Sequence, residues 1–307
     1  MKRIVGVSIG SAQRNHTVQL KLAGDEYVIE RIGTDGDISA AIEIIKDLDG
    51  KVDAFGLGGI DRYLCCGNRR YELKDGKRIA LAATRTPIVD GSGLKDTLER
   101  RVIRQLSNQG VLGKQPLKIL MVCGMDRFGM AEELDNLGHH ITFGDLIFAL
   151  GIPMPVYSLR RLNKIAQMVM PIVCRLPFQM LYPTGVKQES IEDKFHKYYQ
   201  TADVVAGDFH FIRRHMPKEM KGKTILTNTV TKADIDLLKE RGVSRLITTT
   251  PELAGRSFGT NVMEALLVSY IRKKEKSVAY YDQALAELDW RPRIVELQRE
   301  EIQGWKG

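Results

Sequence analysis

Two groups of residues in this sequence could move a proton. Asp208 and His210 stand two positions apart in Gly207-Asp208-Phe209-His210. A histidine titrates near neutrality and can exchange a proton with a hydroxyl or a carbonyl. The adjacent acid could orient it or raise its pKa; on a strand the two share a face and make only a local hydrogen bond. Lys95, with Asp90 or Asp61, is the alternative acid–base pair. Anion binding has its own candidates. Asp90-Gly91-Ser92-Gly93-Leu94-Lys95 and Gly255-Arg256-Ser257-Phe258-Gly259-Thr260-Asn261 each open a helix, where free N–H groups and the positive dipole end favour a carboxylate or phosphate. Ser92, Arg256 and Ser257 would contact a substrate there, or Ser92 and Thr260 are plain N-caps. Ser11 and Arg14, directly after the first strand, are further substrate candidates.

The stretch from Lys118 to Asp145 reads as strand, turn, helix, strand and acid, the order of a nucleotide-binding βαβ unit. Asp145 lies 21 residues after Gly124, near the spacing at which a carboxylate meets a ribose hydroxyl. It would favour NAD over NADP, because it repels a 2′-phosphate. Gly124 and Gly129 match the first and third glycines of G-x-G-x-x-G. Asp126 holds the middle position, where a side chain crowds a pyrophosphate and a carboxylate repels it. Arg127 could neutralise Asp126 or hold a phosphate itself. Thr227 and Asn228, at the end of a later strand, complete the cofactor candidates.

Other chemistries lack their signatures. There is no G-x-S-x-G, no P-loop and no H-E-x-x-H. Cys65, Cys66, Cys123 and Cys174 show no C-x-x-C spacing and read as reduced thiols of a cytoplasmic protein. His139-His140 has no partner motif, so no metal is expected. The net charge is +8, but the basic residues read as solvated faces or as attraction for a small anionic substrate. No basic motif interleaved with aromatics points to nucleic acid. The longest uncharged apolar stretch in the middle of the chain, Ile165 to Cys174, is half of what a membrane span needs (about 20 residues). The N-terminus runs straight into a strand without a cleavable apolar region.

These residues need elements to position them. The 307 residues suffice for two domains. Residues 1–114 read as a mixed α/β substrate domain with hairpins at Ala23-Gly24-Asp25 and Gly67-Asn68 and helices at Ile38–Leu48 and Leu94–Asn108. Gly113-Lys114-Gln115-Pro116 is the boundary. Residues 115–307 read as a Rossmann-like, doubly wound parallel sheet that binds a nucleotide, with an insertion or cover at 147–190. Asn261 to Lys274 is a long helix. The tail from Ser277 reads as helical, interrupted near Pro292. It would pack on the first domain or on a second copy of the chain, which would make a homodimer.

Five segments carry a resemblance. Gly129-Met130-Ala131-Glu132-Glu133-Leu134, Phe143-Gly144-Asp145-Leu146, Leu181-Tyr182-Pro183-Thr184-Gly185, Gly207 to His210 and Gly255 to Asn261 resemble prokaryotic proteins labelled quinate 5-dehydrogenase, or quinate/shikimate dehydrogenase-like. The resemblance runs from Val5 to about Tyr270. It implies an N-terminal substrate domain, a C-terminal NAD or NADP domain, a Lys/Asp pair in the cleft between them, and oxidation of a small hydroxylated carboxylic acid. The N-V-T-x-P-x-K segment of shikimate dehydrogenases is absent from residues 1–113, and Gly124-Met125-Asp126-Arg127 stands where they carry G-A-G-G. A ligand-binding or sensing protein that has lost its pyrophosphate site is the alternative.

Overall fold

The first strand is apolar on both faces, and the structure covers both. The computed structural model describes residues 1–67, 69–177, 195–253, 256–271 and 278–298. β1 (Lys2–Ser8) is the middle strand of a five-stranded sheet. β2 (His16–Leu22) and β3 (Asp25–Gly33) form the expected hairpin. It turns at Ala23 and Gly24, whose φ values of 49° and 84° match the right-handed twist of the flanking strands. α1 (Ile38–Leu48) is capped by Asp37, which accepts the N–H groups of Ser39 and Ala40. β4 (Ala54–Gly58), the hairpin of β5 (Tyr63–Cys66) and β6 (Arg69–Glu72), α2 (Lys74–Ala80) and β7 (Ile88–Val89) follow. The order is β2-β3-β1-β4-β7, parallel except for β2.

α3 (Ser92–Asn108) leads out of this sheet. Leu94, Leu98, Val102 and Leu106 recur every four residues and are fully buried, each worth roughly 1.5–3 kcal/mol of apolar burial. The second half begins with β8 (Lys118–Met121), α4 (Phe128–Asn136), β9 (His140–Phe143) and α5 (Asp145–Leu150). α6 (Leu159–Val173) ends two residues beyond Pro171, the expected break. The rest of the expected cover, with Leu181 to Gly185, lies outside the described residues. α7 (His196–Gln200), β10 (Val204–Ala206), α8 (Phe209–His215), β11 (Thr224–Thr227), α9 (Lys232–Glu240) and β12 (Arg245–Thr248) restore the alternation. The short pair β13 (Glu252–Leu253) and β14 (Arg256–Ser257) precedes α10 (Thr260–Ile271), α11 (Val278–Glu287) and β15 (Arg293–Glu296).

The second sheet has the order β15-β12-β11-β10-β8-β9. Its five inner-series strands are parallel, and β15 adds an antiparallel edge on β12. The fold is thus α/β with two separate sheets. One expectation needs correction. The tail is not helical throughout: its helix ends at Glu287, just before Asp289 takes a left-handed conformation (φ 46°), and beyond Pro292 residues Arg293–Glu296 pair as a strand. α11, the helix of that tail, packs on α3, one of its two expected seats, and α10 packs on β1, β4 and α3. One face of the first sheet (Val5, Val7, Phe55, Leu57) buries against Ala41 and Ile45 of α1. The opposite face, with Ile4 and Ala54, joins α3, α10 and residues of the second sheet in one apolar cluster.

Glycines make that second contact possible. A Cβ on Gly6 would lie 2.7 Å from Val262 Cγ2, and one on Gly56 would lie 2.8 Å from the Asn261 carbonyl oxygen. The start of α10 therefore sits directly on the backbone of β1 and β4.

Candidate active site

The parallel strands of both sheets end at a common cleft of about 1190 Å³. Ser8, Gly58 and Asp61 line it from the first sheet, and Asp126, Asp208 and Asn228 from the second. Open α/β sheets hold ligands at this position, beyond the carboxyl ends of their strands.

Asp61 follows β4, and Lys95 lies in the first turn of α3. Lys95 Nζ is 2.8 Å from Asp61 Oδ1 and 3.0 Å from Asp126 Oδ1. Beside them Arg127 is 1% exposed. Its guanidinium pairs with Glu99, lies 2.9 Å from Asp208 Oδ2, and reaches Asp126 Oδ2 at 3.5 Å. Asn228 donates to the same Asp208 oxygen at 3.0 Å. Two cations and four carboxylates thus form one largely buried network between the halves of the molecule.

The excess of negative charge has a consequence for protons. Burial pushes the Asp61 carboxyl up to about 6; Lys95 opposes this, and Asp126 and Asp90 add to it. Glu99 is also raised, by burial against the pull of Arg127. Burial would raise Asp208 too, but the charges of Arg127, His210 and Lys95 and the N–H of His210 together outweigh it and hold this acid well below the usual carboxylate range. Lys95 is held well above its ordinary value: burial opposes its charge, and Asp126 and Asp61 overcome it. Lys95 is therefore a fixed cation, and Asp61, beside it, is a group of this network raised toward neutrality. An ammonium has three N–H donors; two go to carboxylates and one remains for a ligand.

Asp90 is not the partner of Lys95. Its Oδ2 accepts the N–H groups of Arg62 and Tyr63, and its Oδ1 accepts the N–H and hydroxyl of Ser92. With every lone-pair direction engaged, it clamps the loop after β4 to the start of α3. The same contacts correct the anion site proposed at Ser92, because the chain's own carboxylate fills it. The N-cap is Gly91, in a left-handed conformation. Asp208 is likewise not an orienting acid for an imidazole. It caps α8, accepting the N–H of His210 at 3.0 Å. The His210 imidazole does line the cleft, whose walls hold it below the ordinary histidine value against the pull of Asp208. Ser11 accepts the N–H of Gln13 and gives its carbonyl to Arg31, whereas Arg14 lines the cleft. Arg256 and Ser257 form β14; their side chains lie outside the described residues.

The turn after β8 differs from a dinucleotide site. Asp145 Oδ2 accepts the N–H of Gly124 at 3.0 Å, and Oδ1 accepts that of Met125 at 2.7 Å. Asp145 follows β9 as expected and borders the cleft, but it is 7% exposed and its carboxylate is engaged by the turn. Burial pushes it up to about 6, with both amides opposing. Arg127 is equally committed to carboxylates and holds no phosphate. Gly124 is required by packing, since a Cβ would lie 2.8 Å from Phe143. Gly129 lets α4 approach α3, with Asp96 Oδ1 2.8 Å from the Cβ position. Thr227 is fully buried and donates to the Gly207 carbonyl at 2.8 Å, so it is structural. Of the cofactor candidates, Asn228 lines the cleft through β11 but already serves Asp208. A pyrophosphate in the usual G-x-G-x-x-G pose does not fit unless Asp145 leaves.

Glu99 and Arg31 escaped the sequence reading. Glu99 lies four residues after Lys95 on the same face of α3, a spacing visible in the sequence. Arg31 is the cross-strand neighbour of His16, which only the β2–β3 register reveals. Among the described residues no group of three or more His, Cys, Asp or Glu is arranged to hold a metal ion. No described helix is long and apolar enough to cross a membrane.

The chain belongs to the family described as Domain of unknown function (DUF8754), whose model matches residues 93–297. A second model, described as Domain of unknown function (DUF8753), matches residues 3–90. The two meet at the start of α3. No curated protein matches the sequence. Among solved structures, an NAD-dependent malic enzyme from Thermotoga maritima is 13% identical, with a TM-score of 0.37 over 92% of this chain and 84% of that one. An ABC transporter solute-binding protein from Burkholderia multivorans is 12% identical, with a TM-score of 0.39 over 96% and 99%. GanP, a glucose-galactose binding protein from Geobacillus stearothermophilus, is 10% identical, with a TM-score of 0.37 over 98% and 99%.

Proposed function

We propose that the cleft is the active site of an enzyme that moves a proton on a small hydroxylated carboxylic acid. Asp61 is the acid–base group, and Lys95 is the cation beside the reacting oxygen. The observation that carries this reading is the Lys95–Asp61 contact of 2.8 Å on the cleft wall, braced by Asp126. Asp61 takes a proton from a substrate hydroxyl, or from a carbon beside a carbonyl. The remaining N–H of Lys95 donates to the oxygen that gains negative charge. Asp61 exchanges its proton with solvent and returns one to the substrate, which restores the neutral hydroxyl or C–H.

The resemblance gives this reading its finer form, an oxidoreductase that acts on a quinate- or shikimate-like acid with NAD or NADP. The dinucleotide would supply the hydride acceptor. The turn after β8, filled by Asp145, does not fit its pyrophosphate in the usual pose. The second reading is a ligand-binding or sensing protein without turnover, and the Asp145–Gly124 contact favours it.

Incubation in D2O with a panel of hydroxy and keto acids, followed by proton NMR with and without NAD or NADP, tests both. Deuterium exchange or turnover that is lost in Lys95→Met and Asp61→Asn supports the enzyme reading. Dependence on added nucleotide selects the oxidoreductase. Binding without exchange or turnover under any condition selects the sensing protein.

A further inference from the structure

We propose that Arg14 and Arg31 form a subsite for an anionic oxygen group, a carboxylate or phosphate, at the first-domain lip of the cleft. Calling that group part of a substrate rests on the function proposed above; the binding itself does not.

Both arginines line the cleft, and neither has a carboxylate within ion-pair distance among the described residues. Among the described residues Arg31 donates to neutral acceptors: the Ser11 carbonyl at 2.9 Å, Asn15 Oδ1 at 3.3 Å and Ser8 Oγ at 3.1 Å. Those bonds fix the guanidinium without neutralising it, and leave two of its five N–H donors without an acceptor among the described residues. Asp35, the acid whose charge favours Arg31, gives its Oδ1 to the N–H of Ala12. Burial and the neighbouring Arg14 charge push Arg31 down to about 10, as expected of a guanidinium lacking an anion. Lys95 and Arg127, in the same cleft, show the opposite arrangement, since each holds at least two carboxylates.

His16 lies opposite Arg31 in the β2–β3 register and refines the ligand class. Its Nδ1 is 2.9 Å from the Arg14 carbonyl and must carry a hydrogen there. Its Nε2 is shielded from solvent and has no hydrogen-bond partner among the described residues. In the neutral ring that nitrogen accepts a hydrogen bond. An anion-holding pair beside a lone acceptor suits an acid that carries a hydroxyl near its charged group.

The test measures binding of quinate and of inorganic phosphate by isothermal titration to the wild type, Arg14→Gln, Arg31→Lys and Lys95→Met. Arg14 is exposed and makes no side-chain bond among the described residues, so Arg14→Gln folds even if Arg31→Lys does not. The expected result is quinate or phosphate affinity that falls about tenfold or more in Arg14→Gln, the loss typical of a charged hydrogen bond, and that falls less in Lys95→Met. Quinate-only dependence marks a carboxylate subsite, and phosphate-only dependence a phosphate subsite. The proposal is overturned if neither anion binds at tens of millimolar, if Arg14→Gln binds as the wild type does, or if affinity follows Lys95 instead. Arginine-dependent binding without any turnover keeps the subsite and removes the enzyme reading.

Discussion

Asp145 Oδ2 accepts the backbone N–H of Gly124 at 3.0 Å, so the turn after β8 holds an anion supplied by the chain itself. Asp90 does the same at the start of α3, where it accepts the N–H of Ser92. Both turns have the form that usually receives a ligand's phosphate or carboxylate. Both are already satisfied. Among the described residues Arg14, Arg31 and the exposed Lys232 line the cleft without a carboxylate in ion-pair distance. Arg31 is half-buried among neutral acceptors beside Arg14, and this moves the expected position of an anionic ligand toward the first sheet.

Removing Asp145 separates a lock from a ligand contact. Asp145→Ala frees two amides of the turn, and should lower stability by about 1–3 kcal/mol in urea unfolding, as for a buried donor left unpaired. Titration with NADH and NADPH, followed by nicotinamide fluorescence, should show weak wild-type binding that tightens in the variant. Tight wild-type binding that weakens on substitution would show that Asp145 contacts the nucleotide.

Lys95→Ala should lower turnover by about 10²-fold or more if the ammonium acts on the reacting oxygen. Lys95→Arg keeps the charge but not the compact geometry, and should recover part of the rate. Equal rates in all three proteins would remove Lys95 from the mechanism.

Much of this arrangement could be read from the sequence. The hairpin at Ala23-Gly24-Asp25, the helix at Ile38–Leu48 and the βα repeats are local signals, and they stand where the sequence pattern puts them. Lys95 and Asp61 were visible as a candidate pair because both follow strands. The roles of Asp90, Asp145 and Asp208 were not visible. A carboxylate at a strand end can meet a ligand or the chain's own amides, and only the fold of the intervening loop decides which. The return of α10 to the first sheet was hidden as well, because its partners Gly6 and Gly56 leave no hydrophobic signature.

Arg127 should be the most sensitive of the charged positions. Arg127→Leu leaves Glu99 and Asp208 without their cation in a buried setting, and breaking such a group costs about 3–5 kcal/mol. The double variant Arg127→Leu/Glu99→Gln should recover part of that loss in the same denaturation experiment. No recovery would mean that Glu99 is not held by Arg127.

Gly56→Ala tests the seat of α10. Its new Cβ would lie 2.8 Å from the Asn261 carbonyl oxygen, a backbone atom that cannot swing aside. Overpacking of this kind costs about 1–3 kcal/mol. A thermal midpoint equal to the wild type would show that α10 yields freely.

Asp61 and Asp208 should leave opposite marks on the pH dependence. Burial raises Asp61 from 3.8 to about 6, so the folded protein holds this proton more tightly than the unfolded chain. Its contribution to stability is present in full below pH 3.8 and is lost as the pH rises through about 6. Asp208 runs the other way. Burial is outweighed by Arg127 together with His210, Lys95 and the His210 N–H, which hold its pKa below the unfolded value, so its contribution is present above that value and is lost as the pH falls toward the folded one. Urea unfolding across pH 3 to 8 (roughly the span of these titrations) should therefore show Asp61→Asn removing a decline between the two Asp61 values. Asp208→Asn should instead flatten the acid limb. Activity adds a separate sign. If Asp61 is the base, it must be ionised, so kcat/KM should fall below about pH 6. Asp61→Asn should lower kcat/KM and abolish that limb, whereas Asp208→Asn should leave its position in place. A limb near pH 6 that survives Asp61→Asn would assign the proton transfer to another group, with the His210 imidazole the first to test.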